Sequence, residues 1–287
     1  MKPHILLAAL AIVGLVSCGQ NGEFKPDANI SVTVREDGSG TKGAFLEIVG
    51  LKGKADPVGA VVANGTTAVL TEVASNPYAI AYDSLGYVDS SVKILSVGGV
   101  APGAETILDG SYAISRPLNV IYQTETVNSS ALYADYLTFL QSKTAQDLTQ
   151  ENGYVNAVVD AKEYVVSEAY NGTIKISGST SLQPLMIKIA NAYMEVQKGV
   201  SVQVSGGGSG TGYSDGENGV SVFGMISEEF NSSKAPSCTY QTVAKDGIAV
   251  VVNPKNPLNE ISKAALTNIY NPEKGEDAIT KWSDLLR

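Results

Sequence analysis

Histidine occurs once, at His4, and cysteine twice, at Cys18 and Cys238. These scarcities remove whole classes of chemistry. His4 falls inside an N-terminal leader, so the processed chain has no imidazole for Ser-His-Asp or Cys-His catalysis, for general base work or for a His-ligated zinc ion. Two cysteines close one disulfide at most, and none if either is modified. Lysine and arginine number 20 against 29 aspartates and glutamates, a net charge of −9. Removal of Lys2 with the leader takes one more positive charge, and no Lys/Arg cluster occurs anywhere. Nucleic acid is therefore not an expected partner, since neutralising its phosphates needs a basic patch. No grouping of ligating residues implies a metal, and no motif implies a cofactor.

Among the residues that are present, Met1-Lys2-Pro3-His4 opens the chain and Ile5 to Val16 follows almost without a polar group. That stretch is too short to span a bilayer as a helix and reads as an export signal. It ends Leu15-Val16-Ser17-Cys18-Gly19, which resembles a bacterial lipobox. Residues 1–17 are then a lipoprotein signal peptide and Cys18 the lipidated first residue; an ordinary signal peptide with a chance cysteine is the alternative. Lipidation leaves Cys238 without a disulfide partner, a small loop or buried residue and no nucleophile. Residues 18–29, polar and with Gly and Pro, read as a tether reaching about 35–40 Å at full extension.

Strands and helices alternate over the remaining chain, which predicts an α/β architecture. Ile30 to Val34 has strand periodicity, Thr66 to Ala74 reads as a helix stopped by Asn76-Pro77, and Tyr78 to Tyr82 and Val92 to Val97 read as strands. Residues 116–122 are extended and apolar, Ser130 to Leu140 is helical, and Ile174 to Ile176 and Val200 to Val204 are strands. Ile248 to Val252 is a continuous apolar strand ended by Asn253-Pro254.

Three loops share one character: Ser39-Gly40-Thr41, Ser179-Thr180-Ser181 and Ser209-Gly210-Thr211 each follow a strand and lead toward a helix. A helix N-terminus offers free N–H groups and partial positive charge, so hydroxyl residues there suit an oxyanion. Any one loop alone reads sooner as an ordinary N-cap, and it is three glycine-bearing loops of this kind in one chain that point to a shared ligand. Gly38-Ser39-Gly40-Thr41-Lys42-Gly43 matches the dinucleotide pattern formally, but Arg35-Glu36-Asp37 separates it from its strand. Thr41 before Lys42 is the wrong order for a P-loop, and no serine sits in a nucleophile elbow. Arg35 is the fixed positive charge beside these loops, either an anion ligand with Asp37 holding its fork or a surface arginine paired to Glu36 or Asp37.

Arg35-Glu36-Asp37-Gly38-Ser39-Gly40-Thr41, Ile176 to Ser181 and Gly206 to Gly210 together resemble the phosphate-binding protein family of bacterial phosphate ABC transporters. Asn76 to Tyr82, Arg116-Pro117-Leu118, Asp246 to Pro254 and Ile279 to Leu285 extend the resemblance over most of the chain. It implies a two-lobe periplasmic-binding-protein-like fold with two hinge strands and phosphate in the cleft. Carried over by position, it implies phosphate binding by Arg35, Ser39, Gly40, Thr41, Thr180, Ser181 and Ser209, with Asp37 orienting Arg35. Ser227 stands where many members carry an aspartate that accepts the phosphate proton, and Glu228 after it is either an acceptor or solvent-facing.

The order of the segments departs from the family, whose members usually place the arginine-bearing loop last. Here it comes first, which reads as a circular permutation, with a misassembled reading frame as the alternative. The permuted map expects a split lobe of 30–116 plus 253–287, a continuous lobe of 120–250, and hinges near 116–122 and 248–253. The resemblance further implies a monomeric, extracytoplasmic, membrane-anchored protein that is not an enzyme and that delivers phosphate to an ABC permease. A binder of sulfate or another tetrahedral oxyanion, and a sensor or adhesin on the same fold, are the competing readings.

Overall fold

The computed structural model describes residues 23–273, 275 and 277–286. The signal peptide, Cys18 and the first part of the tether lie outside them. The first half runs β1 (Ser31–Arg35), α1 (Gly40–Ile48), β2 (Val61–Ala63), α2 (Thr66–Ser75), β3 (Ala79–Ser84), β4 (Lys93–Val97), α3 (Ala104–Leu108) and β5 (Ser115–Gln123). Next come α4 (Thr124–Asn128), α5 (Ala131–Phe139), α6 (Lys143–Glu151) and β6 (Val155–Asn156). The remainder is β7 (Asn171–Gly178), α7 (Gln183–Val196), β8 (Gly199–Gly206), α8 (Ser209–Glu217), β9 (Phe223–Ile226), β10 (Cys238–Val252), β11 (Glu260–Ile261) and α9 (Lys263–Tyr270).

The chain has the α/β architecture its alternation predicts. The principal strand order is β2-β1-β3-β10-β5-β9-β7-β8, parallel from β2 to β3 and from β9 to β8, and antiparallel where β10 meets β3 and β5 and where β5 meets β9. β10 carries the most unexpected geometry. Its apolar run Ile248–Val252 is legible as a strand, but the strand begins ten residues earlier, at Cys238. Residues 238–247 have no regular apolar alternation and take strand form because β5 pairs with them over Gln123 to Ser115.

Two large apolar cores lie toward opposite ends of this long strand. Val34, Phe45, Ile80, Tyr82, Leu95, Ile114, Ile248, Val250, Leu266 and Trp282 belong to one. Leu118, Val120, Tyr136, Ile174, Ile176, Met186, Phe223, Val243 and Ala244 belong to the other. The change of core falls between Ile114 and Leu118 on β5 and between Ala244 and Ile248 on β10. Residues 248–252 pair with β3 and β4 inside the first half's sheet, so the second crossing precedes the 248–253 expected from sequence. Residues 29–30 meet 280–281: Asn29 bridges Lys281, and the Ile30 N–H donates to the Thr280 carbonyl at 2.8 Å.

Glycine fixes how closely α8 approaches the sheet. A Cβ on Gly212 would strike the Met225 carbonyl oxygen, and one on Gly224 would strike the Gly212 carbonyl oxygen. The helix backbone thus rests directly on β9, and this contact sets the depth of the Ser209 loop. Gly212→Ala is expected to destabilise the fold by about 1–3 kcal/mol through overpacking. Urea denaturation of both proteins checks this; an unchanged midpoint would show that α8 can lift without penalty.

Candidate functional site

Five element ends from both halves meet at one point. The end of β1 supplies Arg35, the start of α1 Gly40 and Thr41, the turn entering α7 Thr180 and Ser181, the start of α8 Ser209, and the residue after β9 Ser227. Thr41 Oγ1 lies 2.9 Å from Ser181 Oγ, and Ser209 Oγ lies 3.3 Å from Ser227 Oγ. The Ser227 N–H donates to Ser209 Oγ at 3.0 Å, and the Gly210 N–H donates to the Gly38 carbonyl at 2.9 Å. A Cβ on Gly40 would collide with Ser209 Oγ and come within 2.9 Å of Ser227 Oγ, so only glycine lets α1 close against this group. Thr41, Ser181, Ser209 and Ser227 are buried, and Thr180 is half-buried.

Arg35 is 1% exposed, which excludes the surface-arginine reading. Its Nε and Nη2 donate to the Glu36 carboxylate at 2.8 and 2.7 Å, and Nη2 also donates to Thr180 Oγ1 at 2.9 Å. Nη1 makes no hydrogen bond among the described residues. The Arg35 N–H donates to the Tyr82 hydroxyl at 3.4 Å, while the Tyr82 ring stacks on Phe45 of α1 at 3.9 Å between centroids. Burial pushes the Glu36 carboxyl up, but hydrogen bonds from Arg35 and the Gly65 N–H outweigh it and hold it below the usual range. Glu36 therefore stays ionised and fixes the guanidinium.

The assignment of Asp37 to that task is corrected by the structure. Asp37 turns outward, 98% exposed, and binds Lys42 Nζ at 2.8 Å; Lys42 in turn reaches Asp56 at the same distance. A side chain two residues beyond the strand end faces away from its Arg35, whereas the adjacent Glu36 is long enough to curl back. Ser39 is a cap: its Oγ accepts the Lys42 N–H at 3.3 Å, which leaves its hydroxyl proton free. Ser179 likewise receives the Leu182 N–H at 3.1 Å. Glu228 points its carboxylate to Lys234 at 2.7 Å, outside the hydroxyl set.

Sequence reasoning passed over a second buried pair. Arg116 of β5 donates to Asp246 of β10 at 3.1 Å and to the Ser227 carbonyl at 2.9 Å, so it ties the two crossing strands to the Ser227 loop. Asp246 also accepts from Ser84 Oγ at 2.7 Å. Burial pushes the Asp246 carboxyl up against the pull of Arg116 and Ser84. The legible sign was charge inside apolar strands, at Arg116 before Pro117-Leu118 and at Asp246 before Gly247-Ile248.

This arrangement presents donors: a guanidinium nitrogen, hydroxyls, and the first N–H groups of α1 and α8, which have no partner inside their own helices. It suits a small anion and supplies neither nucleophile nor base. A groove of about 660 Å³ opens alongside, between α1 and α8, lined by Lys42, Lys54, Gly210 and Tyr213. Among the described residues, no group of His, Cys, Asp and Glu could hold a metal ion, and no helix is long and apolar enough to cross a membrane.

A model of the PBP superfamily domain matches residues 18–144 and 165–287, and the chain belongs to that superfamily of solute-binding proteins. Over 296 residues it is 36% identical to the phosphate-binding protein PstS 2 of Streptococcus pneumoniae, covering 99% of each chain. It is 35% identical over 300 residues to PstS 2 of Streptococcus agalactiae, again covering 99% of each. The crystal structure of a phosphate-binding protein of a phosphate ABC transporter from S. pneumoniae superposes with a TM-score of 0.72. Identity there is 35%, over 91% of this chain and all of that one. Within the superfamily the chain thus belongs with the PstS 2 phosphate-binding proteins, a family that binds solutes and does not catalyse.

Arg116→Met tests the buried pair. Leaving Asp246 without its cation is expected to destabilise the protein by about 3–5 kcal/mol. The measurement is the urea midpoint at neutral pH, and a loss below about 1 kcal/mol would mean that Asp246 is held neutral.

Proposed function

We propose that the protein captures inorganic phosphate between its two halves and delivers it to an ABC permease outside the cytoplasm. The observation that carries this reading is the convergence of the buried hydroxyls of Thr41, Ser181, Ser209 and Ser227 at the start of α1, with the buried Arg35 guanidinium reaching the same turn through Thr180. Arg35, Ser39, Gly40, Thr41, Thr180, Ser181, Ser209 and Ser227 form the site, with Thr180 holding the guanidinium. Many short hydrogen bonds from hydroxyls and helix N-termini, with one full charge, bind a dehydrated oxyanion. Net negative charge opposes this little, because local dipoles dominate at contact distance.

The expected lobes, 30–116 with 253–287 and 120–250, are taken with the second boundary moved ahead of Ile248, and they open along β5 and β10. Cys18 carries the lipid anchor and residues 18–29 the tether, with the chain acting as a monomer. The meeting of residues 29–30 with 280–281 supports a permuted chain order, since joining old termini requires them to be neighbours. Ser227, in place of a carboxylate, favours a second reading in which sulfate is also accepted, because a hydroxyl donates as readily as it accepts.

Calorimetry on residues 19–287 with phosphate and with sulfate tests both readings. Phosphate is expected to bind, and Arg35→Lys and Gly40→Ala are each expected to weaken it roughly ten- to hundredfold, the range for losing one or more hydrogen bonds to a charged group. Absence of phosphate binding at about millimolar concentration, a level corresponding to only ~4 kcal/mol, would sink the proposal.

A further inference from the structure

Asp83, on β3, is a buried carboxylate without a part in the site described above. It is 0% exposed. Oδ1 accepts the Ser84 N–H at 2.8 Å and lies 3.9 Å from Arg35 Nη1, while Oδ2 makes no hydrogen bond among the described residues. Arg35 Nη1 makes none either. Two buried polar atoms of opposite charge thus lack hydrogen bonds at one junction, and one of them belongs to Arg35, whose Nη2 reaches Thr180 beside the hydroxyl set.

The surroundings identify which carboxylate yields when negative charge arrives. From β1 come Arg35 and, beyond it, Glu36; from β5 comes Arg116; from β10 comes Asp246; Tyr154 approaches from the segment before β6. Tyr82, the preceding residue of β3, directs its hydroxyl to the Arg35 N–H. Glu36 accepts from Arg35 twice and from the Gly65 N–H, and Asp246 accepts from Ser84 Oγ, Arg116 and the Gly86 N–H. Asp83 accepts only one hydrogen bond. Two arginines face three carboxylates in this group, so it is already one positive charge short before an anion is added. The least solvated carboxylate is the one whose ionised form is least supported.

We propose that Asp83 is a proton-coupled counter-charge for Arg35, ionised in the empty cleft and protonated when a bound anion shares the Arg35 guanidinium. One proton passes from solvent to the carboxylate and no other bond changes. Asp83 acts through Arg35 as a tuning residue and does not touch the ligand. Burial, against the opposing pull of Arg35, pushes its carboxyl up to about 7, so the exchange falls in the neutral range. A bound anion cancels the pull of Arg35 and raises the group further. Rising pH ionises Asp83 and sets it against the anion, so the affinity attributable to this group falls with pH, by at most about tenfold per unit for one proton.

This inference rests on the phosphate-binding reading, and the test separates the two. Phosphate is titrated calorimetrically into wild type and Asp83→Asn between pH 6 and 9, in buffers of different ionisation enthalpy, so that proton uptake is counted. The titration of phosphate itself is common to both proteins and cancels in the difference. Wild type is expected to take up more protons than the variant and to lose affinity more steeply above pH 7, by up to about tenfold per unit. Equal proton counts and parallel profiles would overturn the role of Asp83 while leaving phosphate binding intact. Failure of wild type to bind phosphate would overturn both readings. If Asp83→Asn does not fold, infrared difference spectra of wild type with labelled aspartate decide: a protonated carboxyl band rising on phosphate addition supports the proposal, and none refutes it.

Discussion

Burial of the Arg35 guanidinium is the constraint around which the site is organised. A charge removed from water must be met by partners, and the structure meets it from two directions. Glu36 grips two of its nitrogens from the same strand end, and Thr180 receives one from the opposite half of the molecule. The first contact fixes the fork and the second makes the fork a link across the cleft. What is left, Nη1, makes no hydrogen bond among the described residues and lies 3.9 Å from Asp83. A site of this kind recognises an anion by geometry, because each donor is held by another contact before the ligand comes.

The crossing strands explain why two halves with separate apolar cores share one polar junction. β10 runs through both, and its partner β5 crosses beside it. Arg116 and Asp246 face each other where the cores change and pass the connection on to the Ser227 carbonyl. An ion pair at such a place adds little net stability compared with apolar packing, but its hydrogen bonds specify how the strands and the loop register. The glycines act by a simpler rule. Gly40, Gly212 and Gly224 stand where backbone must touch backbone or hydroxyl, and any side chain would hold the elements apart.

The alternation of strands and helices, the helix after Gly40, and most strand positions were legible because local periodicity carries them. The three hydroxyl loops were legible for the same reason: glycine and hydroxyl residues between a strand and a helix mark its N-terminus. The cap reading was also correct in part, since Ser39 caps α1, while Ser179 closes the turn that leads to Leu182, the N-cap of α7. Adjacency misled the reading of Asp37, because spacing along the chain does not say to which side a residue turns at a strand end. The first ten residues of β10 escaped notice because their pairing with β5 is a long-range contact, invisible to any window of sequence.

The sequence by itself determined the class of chemistry. With a single histidine, His4 near the N-terminus, and without metal-ligand clusters it argued against the common catalytic arrangements, and its loops pointed to an anion. It did so because residue types limit which donors and acceptors exist. Tertiary structure alone decided which of those groups meet: that Glu36 holds Arg35, that Lys42 takes Asp37, and that Asp83 lies unsupported behind the guanidinium. The reason is that burial and distance set the energy of a charge, and both arise only when segments 48 and 145 residues away close around Arg35.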